Sequence, residues 1–279
     1  AAILAKKNKV SVFVSDNGKI SNNYKDVLIN NEIDFEELGH SEELIMEAKE
    51  VIKSPGIPDD IPIVISLAKN EIPIISEIEF AARYTNAKLI MITGSNGKTT
   101  TTLLIFHMLK TAGLNVGVGG NLGESFAKQV ANYDYDYYVL EISSFQLDGM
   151  FNTKANIAIL LNITPDHLDR YNFSFEKYAE SKFRIFQNQS KEDALIFNID
   201  DKVIANRVSE GNIPSQLYPI SLMENNRNQG AFLKNNEIEI IDNKTSINMT
   251  LEQLALQGKH NVYNSMAAGV AAKLMDIRR

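Results

Sequence analysis

The sequence predicts an α/β protein in which a small α/β unit precedes a doubly wound, mostly parallel sheet. Short continuous apolar runs alternate with amphipathic helical patterns, which is typical of parallel strands that helices cover on both faces. The length of 279 residues exceeds that of one typical domain, so two modest domains are expected.

The composition excludes several classes of protein. A formal net charge of −7 argues against a general nucleic-acid binder, because phosphate contacts require clustered Lys and Arg. No apolar run approaches the roughly 20 residues of a membrane span, and nothing at the start is typical of a signal peptide. The sequence contains no Cys, which excludes disulfides and thiolate metal sites and fits a cytoplasmic protein.

The first unit is predicted to open with the end of a helix, "AAILAKKN", followed by a strand, "KVSVFVSD", that ends at Asp16. An α/β unit normally opens with a strand, and the chain lacks an initiating Met, so we expect it to begin partway through its first βα unit. "VIKSPGIP" predicts a short buried strand and a tight turn at Pro55 and Gly56. "IPIISEIEFAARY" predicts a further strand and helix, which ends this unit near Tyr84.

The second unit is predicted to begin near Ala87 with a strand, "KLIMITG", a glycine turn and a helix that stops at Gly113. Four apolar runs then predict buried parallel strands: "NVGVGG", "YYVLEIS", "NIAILLNIT" and "ALIFNID". Helical patterns separate several of them, notably "SFEKYAESKFRIFQN" and "DKVIANRVSE". A hairpin around "AFLKNNEIEIID" precedes a last helix, "NVYNSMAAGVAAKLMDI".

The glycine turn "TGSNGKTTTT" indicates a phosphate-binding loop, with only two residues between its glycines. A strand that feeds a glycine turn at the start of a helix directs backbone N–H groups and the positive helix end at an anion. Lys98 can neutralise phosphate charge and the Thr99 hydroxyl can bind Mg²⁺. The alternative is a glycine turn capped by threonines. The predicted nucleotide contacts are Gly94, Ser95, Asn96, Gly97, Lys98, Thr99 and Thr100.

This loop, with its shortened glycine spacing, resembles that of the Mur ligase superfamily, which includes the folylpolyglutamate synthases. The match continues in the expected order through "GVGGNLG", "YVLEISSFQL", "ILLNITPDHLDRY", "KYAESKFRIF" and "GKHNVYNSMAA". "SSFQL" resembles the D-glutamate-adding members, because the diaminopimelate- or lysine-adding relatives tend to carry a His shortly after the paired serines.

The resemblance implies a Rossmann-like, UDP-substrate-binding N-terminal domain over residues 1–84, incomplete at its start. It implies a P-loop-type ATPase domain with a doubly wound sheet over residues 85–279. The family's C-terminal domain, which supplies most of the D-glutamate site, would be absent. We therefore expect this fragment to bind the UDP-substrate weakly at best and not to turn over.

Glu141 and Ser143 lie two residues apart at the end of a strand, so both side chains should point to one face. A carboxylate at that position is suited to hold Mg²⁺. The alternative for Glu141 is a strand-end carboxylate in water. The resemblance implies that Glu141 binds the metal and that His167 binds a second Mg²⁺, although hard cations prefer oxygen. The implied metal-binding set is Thr99, Glu141, His167 and Lys182.

By pattern alone, Lys182 is a solvated helix lysine that shares a face with Tyr178. The resemblance implies instead a carbamylated lysine, an anion that helps to hold the metal ions. Carbamylation needs a neutral amine and therefore a lowered lysine pKa. The resemblance also places Asn121 near the γ-phosphate, although Asn is a common turn residue. The implied catalytic set is Lys98, Lys182, His167 and Asn121.

Asn261 and Asn264 lie three apart at the start of the last helix, and their side-chain amides suit an adenine edge, as the resemblance implies. The alternative for Asn261 is an N-cap. For the UDP-substrate, the resemblance implies contacts from Asp16, Asn17, Ser54, Pro55, Gly56, Ser143 and Gln146.

The resemblance implies ATP-dependent addition of D-glutamate to UDP-N-acetylmuramoyl-L-alanine through an acyl-phosphate, in cytoplasmic peptidoglycan synthesis. The expected partners are these two substrates, and the protein is expected to be a monomer. Three alternatives stay open: another Mur-type ligase, a folylpolyglutamate synthase, and a non-catalytic nucleotide-binding module.

Overall fold

The N-terminal part of the computed structural model forms two small parallel sheets. The structure describes residues 1–223, 228–242, 245–254 and 258–276. The strands are β1 (Phe13–Asp16) paired with β2 (Asp34–Glu37), and β3 (Val51–Ile52) paired with β4 (Ile74–Ile75). The helices are α1 (Ala2–Lys7), α2 (Asn22–Asn30), α3 (Glu42–Met46), α4 (Pro62–Lys69) and α5 (Glu77–Ala82).

The predicted order of helix, strand and turn in this part is confirmed, with one correction. The strand in "VIKSPGIP" is half-buried rather than buried, because it is two residues long and pairs only with the equally short β4. The strand β2 was not foreseen: its sequence, "DFEE", is mostly acidic and lacks an apolar run.

The second part is built on a nine-stranded sheet in the order β13-β12-β11-β10-β9-β8-β5-β7-β6. Its strands are β5 (Lys88–Thr93), β6 (Val116–Gly120), β7 (Tyr137–Glu141), β8 (Ile157–Leu160), β9 (Ala194–Asn198), β10 (Gln216–Ser221), β11 (Gln229–Lys234), β12 (Glu237–Asp242) and β13 (Thr245–Thr250). Its helices are α6 (Lys98–Thr111), α7 (Phe126–Asn132), α8 (Ser144–Asp148), α9 (Phe175–Phe183), α10 (Lys202–Ser209) and α11 (Lys259–Leu274).

The sheet is parallel from β6 to β11 and antiparallel from β11 to β13, so the mostly parallel sheet and the hairpin are both confirmed. The four predicted buried strands are β6 to β9. The predicted end of the last helix, Ile277, lies outside the described residues.

Strand β5 has apolar side chains on both faces, which explains why its sequence is a continuous apolar run. Leu89 and Met91 pack into the core on one face, and Ile90 and Ile92 pack into the core on the other. Helices α6 and α11 cover the second face, and α5, α7 and α9 cover the first. Both layers therefore hold β5 in place.

The phosphate loop begins where β5 ends, at the carboxyl edge of the sheet. The chain leaves β5 for β6 and β7 on one side and then returns to β8 on the other. Ligands of open α/β sheets bind at such a point of reversal, beyond the carboxyl ends of the strands. Within the described ranges, no helix combines the length and the apolar character needed to span a bilayer.

Candidate functional site

The phosphate loop has a backbone that only glycine can follow at its last position. Gly97 precedes the first residue of α6 with φ +85°, and a Cβ atom there would lie 2.5 Å from Oδ1 of Asn264. The first-turn N–H groups of α6 have no partner within the helix, so they are available to an anion. This arrangement favours the phosphate loop over a merely structural turn.

Asn162, which the sequence reasoning missed, fixes the middle of the loop. Its Nδ2 donates to the Asn96 carbonyl at 3.0 Å, and its Oδ1 accepts from the Asn96 N–H at 2.8 Å. Its carbonyl accepts from the Ser95 N–H at 2.9 Å. The Ser95 hydroxyl in turn donates to the Thr164 carbonyl at 2.8 Å. The sequence feature that could have identified Asn162 is its position just after a buried strand, at the same edge of the sheet as the loop.

Two lysine ammonium groups meet at the loop. The Nζ atoms of Lys98 and Lys182 each donate to the Gly94 carbonyl at 3.0 Å. Lys182 is only 2% exposed, and its Nζ lies 4.8 Å from the centre of the Tyr178 ring. The interpretation of Lys182 as a solvated helix lysine is therefore wrong.

The two lysines carry lowered pKa values. Burial, and then the charge of Lys98, lower the pKa of Lys182 from 10.5 to about 7. Burial also lowers the pKa of Lys98, against the opposing charges of Glu141 and Asp166. With a pKa of about 7, a large share of the Lys182 side chains is neutral at neutral pH, and the neutral amine is the form that carbamylation requires.

Glu141 is buried and bonded through both carboxylate oxygens, so the alternative of a carboxylate in water is wrong. Oε2 accepts from the Thr99 hydroxyl at 2.6 Å, and Oε1 accepts from Nδ2 of Asn121 at 2.9 Å. The Asn121 N–H also donates to the Glu141 carbonyl at 2.8 Å. Hydroxyl and carboxylate oxygens are the hard donors that Mg²⁺ prefers, so the Thr99–Glu141 pair fits that ion.

His167 lies in an exposed turn with φ +48°. Its Nε2 is 3.6 Å from the Asp166 carboxylate, and its ring centre is 5.4 Å from that of Phe145. Across the part of the chain that the structure describes, no three His, Asp or Glu side chains are grouped so as to hold a metal ion. The metal-binding roles of Thr99, Glu141 and His167 stay predictions.

Ser143 and Gln146 form the capping box of α8. The Gln146 N–H donates to the Ser143 hydroxyl at 3.3 Å, and Gln146 Oε1 accepts from the Ser143 N–H at 2.9 Å. Gln146 is buried by this role. A contact from Gln146 to the UDP-substrate stays a prediction, in competition with the cap.

The substrate residues predicted in the N-terminal part lie in two turns. At the carboxyl end of β1, Asp16 Oδ1 accepts from the Gly18 N–H at 2.7 Å and so closes a turn around Asn17. In the second turn, the Ser54 carbonyl accepts from the Ile57 N–H at 3.0 Å. Pro55 and Gly56 occupy the centre of that turn, as predicted.

Asn261 and Asn264 lie in the first turns of α11, which begins after its N-cap at Gly258. The N-cap alternative for Asn261 is therefore wrong. Asn264 is buried against the loop and donates to Asn261 Oδ1 at 3.2 Å. Between them in sequence, the hydroxyl of Tyr263 donates to Asp200 Oδ2 at 2.8 Å, which ties α11 to the residues after β9. The sequence carried no evident signal for this contact.

Glu79 is a further buried carboxylate that the sequence reasoning missed. It accepts backbone N–H groups from Phe151, Asn152 and Thr153, together with the Thr153 hydroxyl. Burial by itself raises the pKa of Glu79, but these hydrogen bonds outweigh it, and the pKa lies below its ordinary value. Glu79 thereby anchors the loop after α8 to α5.

Comparison with protein families identifies the family to which the chain belongs. The model of the Mur ligase middle domain matches residues 92–272, and that of the MurD N-terminal domain matches residues 1–62. The chain belongs to the Mur ligase family. The first match spans the phosphate loop, Glu141, Lys182 and Asn264.

Curated relatives of this Mur ligase chain carry the name UDP-N-acetylmuramoylalanine–D-glutamate ligase. That of Bacteroides thetaiotaomicron is 51% identical over 279 residues, which is 100% of this chain and 62% of the relative. That of Salinibacter ruber is 36% identical over 285 residues, which is 99% of this chain and 62% of the relative. The chain thus spans 62% of the length of these relatives.

Solved structures agree on the fold. A murein peptide ligase from Psychrobacter arcticus matches 99% of the Mur ligase chain and 62% of its own, with a TM-score of 0.62 and 18% identity. UDP-N-acetylmuramate-alanine ligase from Thermotoga maritima also matches 99% and 62%, with a TM-score of 0.55 and 21% identity. At such identities the likeness establishes the fold alone.

Proposed function

We propose that the chain is the N-terminal and central part of an ATP-dependent ligase that joins D-glutamate to UDP-N-acetylmuramoyl-L-alanine in peptidoglycan synthesis. The observation that carries the proposal is the contact of the Thr99 hydroxyl with the Glu141 carboxylate beside a loop whose Gly94 carbonyl receives two lysines. The names of relatives at 51% and 36% identity support D-glutamate as the added amino acid.

In the proposed reaction, a substrate carboxylate oxygen attacks the γ-phosphorus of ATP, ADP leaves, and an acyl-phosphate forms. The amine of D-glutamate then attacks the acyl carbon, loses a proton, and phosphate leaves. The loop and the first turn of α6 bind the phosphates, and Lys98 offsets their charge. Asn121, already bonded to Glu141, orients the acceptor end. Fixed positive charge at the transferring phosphoryl group supplies most of the catalytic effect.

Mur ligases in general depend on ATP and Mg²⁺. Thr99 and Glu141 would hold the ion, which screens phosphate charge when bound. We further propose that His167 and Lys182 serve a second ion. Asn261 and Asn264 would contact adenine. The turns at Asp16–Asn17 and Ser54–Gly56, with Ser143 and Gln146, would contact the UDP-substrate.

Lys182 is proposed to be carbamylated. Its neutral amine would form an N–C bond with CO₂ and release a proton, leaving an anion beside Lys98. Intact-mass measurement and ¹³C NMR after exposure to ¹³C-labelled CO₂ test this without an activity assay. A labelled carbamate signal that is lost in Lys182→Met supports it, and no signal at saturating CO₂ contradicts it. Lys177→Met, which removes an exposed lysine from the same helix, is the matched control.

We also propose that residues 1–84 and 85–279 are separate domains, and that the enzyme is a monomer of the cytoplasm. Sedimentation equilibrium of the full-length protein tests the monomer, and a concentration-dependent mass would contradict it.

The test of the reaction measures phosphate release by the full-length protein with ATP, UDP-N-acetylmuramoyl-L-alanine and a panel of amino acids. Release with D-glutamate alone supports the proposal. Release with another amino acid, or with a folate substrate and glutamate, assigns the chain to one of the related ligases. A wild-type protein that binds ATP but releases no phosphate with any acceptor is a nucleotide-binding module. Glu141→Gln, assayed at a Mg²⁺ concentration that just saturates the wild type, should release less phosphate and serves as the low-activity control.

A further inference from the structure

We infer that Arg170 is a positioning residue that holds the turn of residues 54–57 in place for the UDP-substrate. This inference deepens the proposed function and rests on it. Arg170 lies in the 3₁₀ turn Leu168–Tyr171, three residues after His167 and far in sequence from the turn that it contacts.

The guanidinium group of Arg170 joins the N-terminal part to the central part. Its Nη1 donates to the Gly56 carbonyl at 3.3 Å, and its Nη2 donates to the Ile57 carbonyl at 3.0 Å. Its Cζ also lies 4.6 Å from the centre of the Phe145 ring. Phe145 follows Ser143 by two residues. One side chain therefore connects three segments that carry predicted substrate or metal residues.

The chemistry of this contact is specific to arginine. A planar guanidinium can donate to two neighbouring carbonyls while one of its faces rests on an aromatic ring. The Ile57 carbonyl also accepts from Lys53 Nζ at 2.7 Å, and Lys53 pairs with Asp59 at 2.8 Å. The carbonyl groups of the turn thus face two cations, which fix the orientation of its backbone.

Phe145 is itself held in place on the central part. Its ring lies parallel to that of Tyr171, with centres 6.0 Å apart and planes 11° apart. The Tyr171 hydroxyl donates to the half-buried Asp148 at 2.9 Å. Arg170 therefore joins the turn to a ring that the central part holds in place through Tyr171 and Asp148. Apart from this contact, a cavity of about 230 Å³, lined by Pro55, Phe145 and Arg170, lies between the turn and α8.

Without Arg170, the turn loses both of its carbonyl contacts to the central part. The free energy of binding the UDP-substrate must then include the cost of ordering the turn. The phosphate loop would keep its own contacts, because Asn162 and Lys98 hold it independently. The effect should therefore fall on the KM for the UDP-substrate and leave the KM for ATP unchanged.

The experiment measures both KM values and kcat for the full-length ligase carrying Arg170→Ala, Arg170→Lys or Phe145→Leu. Arg170→Ala should raise the KM for the UDP-substrate about tenfold, the change expected when about 1.4 kcal/mol of binding is lost. Arg170→Lys keeps the charge but loses the two parallel N–H donors, so the KM for the UDP-substrate should rise by an intermediate amount. Phe145→Leu should have a similar intermediate effect. Arg207→Ala, which removes a partly exposed arginine from beside a different ring, should leave both KM values unchanged.

Thermal melting first establishes which variants fold. If Arg170→Ala does not fold, the KM values of Arg170→Lys test the inference instead. An unchanged KM for the UDP-substrate, or an equal rise in both KM values, overturns the inference. A wild-type protein that shows no D-glutamate-dependent phosphate release overturns the proposed function instead, so the two failures are distinguishable.

Discussion

Replacing Lys182 with Met tests the burial of an ammonium group beside the phosphate loop. Met has a similar length and no charge, and the Gly94 carbonyl would keep Lys98 as a donor. The variant therefore removes the buried charge with little loss of packing. It should be more stable than the wild type at low pH and should lose that advantage as pH rises.

The sign and size follow from the lowered pKa of Lys182. The folded protein releases this proton near pH 7, whereas the unfolded chain keeps it up to about 10.5, so the unfolded state binds more protons between these values. The free energy of unfolding of the wild type therefore rises with pH across this window. At about 1.4 kcal/mol for each pKa unit, the full effect is roughly 5 kcal/mol.

The assay is urea denaturation of wild type and Lys182→Met at about pH 6.5 and about pH 9.5, in buffers free of CO₂ so that carbamylation does not contribute. The difference in unfolding free energy should change by about 3 kcal/mol between the two conditions. Lys177→Met shows how much of any change comes from removing an exposed lysine of α9. A difference that stays constant with pH would refute the reasoning.

Three further predictions concern the loop, the carboxylate and a structural anchor. Gly97→Ala should lower the free energy of unfolding by about 1–2 kcal/mol through backbone strain, and by more through the clash with Asn264. Calorimetry should also show weaker ATP binding. Gly113→Ala is the control for strain alone, because Gly113 has φ +82° and open space around it. Glu141→Gln should raise the Mg²⁺ concentration for half-maximal activity more than about tenfold, and an unchanged requirement would contradict the metal role. Glu79→Gln should destabilise the protein by about 2–3 kcal/mol at neutral pH, and by less as pH falls through the lowered pKa of this carboxyl. Chemical denaturation measures that loss, and a pH-independent loss would count against the explanation.

Sequence alone determined the features that depend on local order. Each face of β5 is buried, so its apolar run is continuous and recognisable. The loop between Gly94 and Lys98 needs a tight turn between a strand and a helix, which fixes its residue types within a few positions. The acidic strand β2 was not predicted, and β3 was predicted to be buried but is half-buried, because strands this short carry almost no periodic signal.

Only the tertiary structure decided which distant side chains share a site. Lys182 has the pattern of a surface lysine, and it is the packing of α9 against the loop that buries its ammonium group. Asn162 and Arg170 reach partners 66 and 113 residues away in sequence. Hydrogen bonds of this kind depend on how segments meet in space, and no periodicity along one segment encodes them. The sequence therefore determined the chemistry of the loop, and the fold decided which residues surround it.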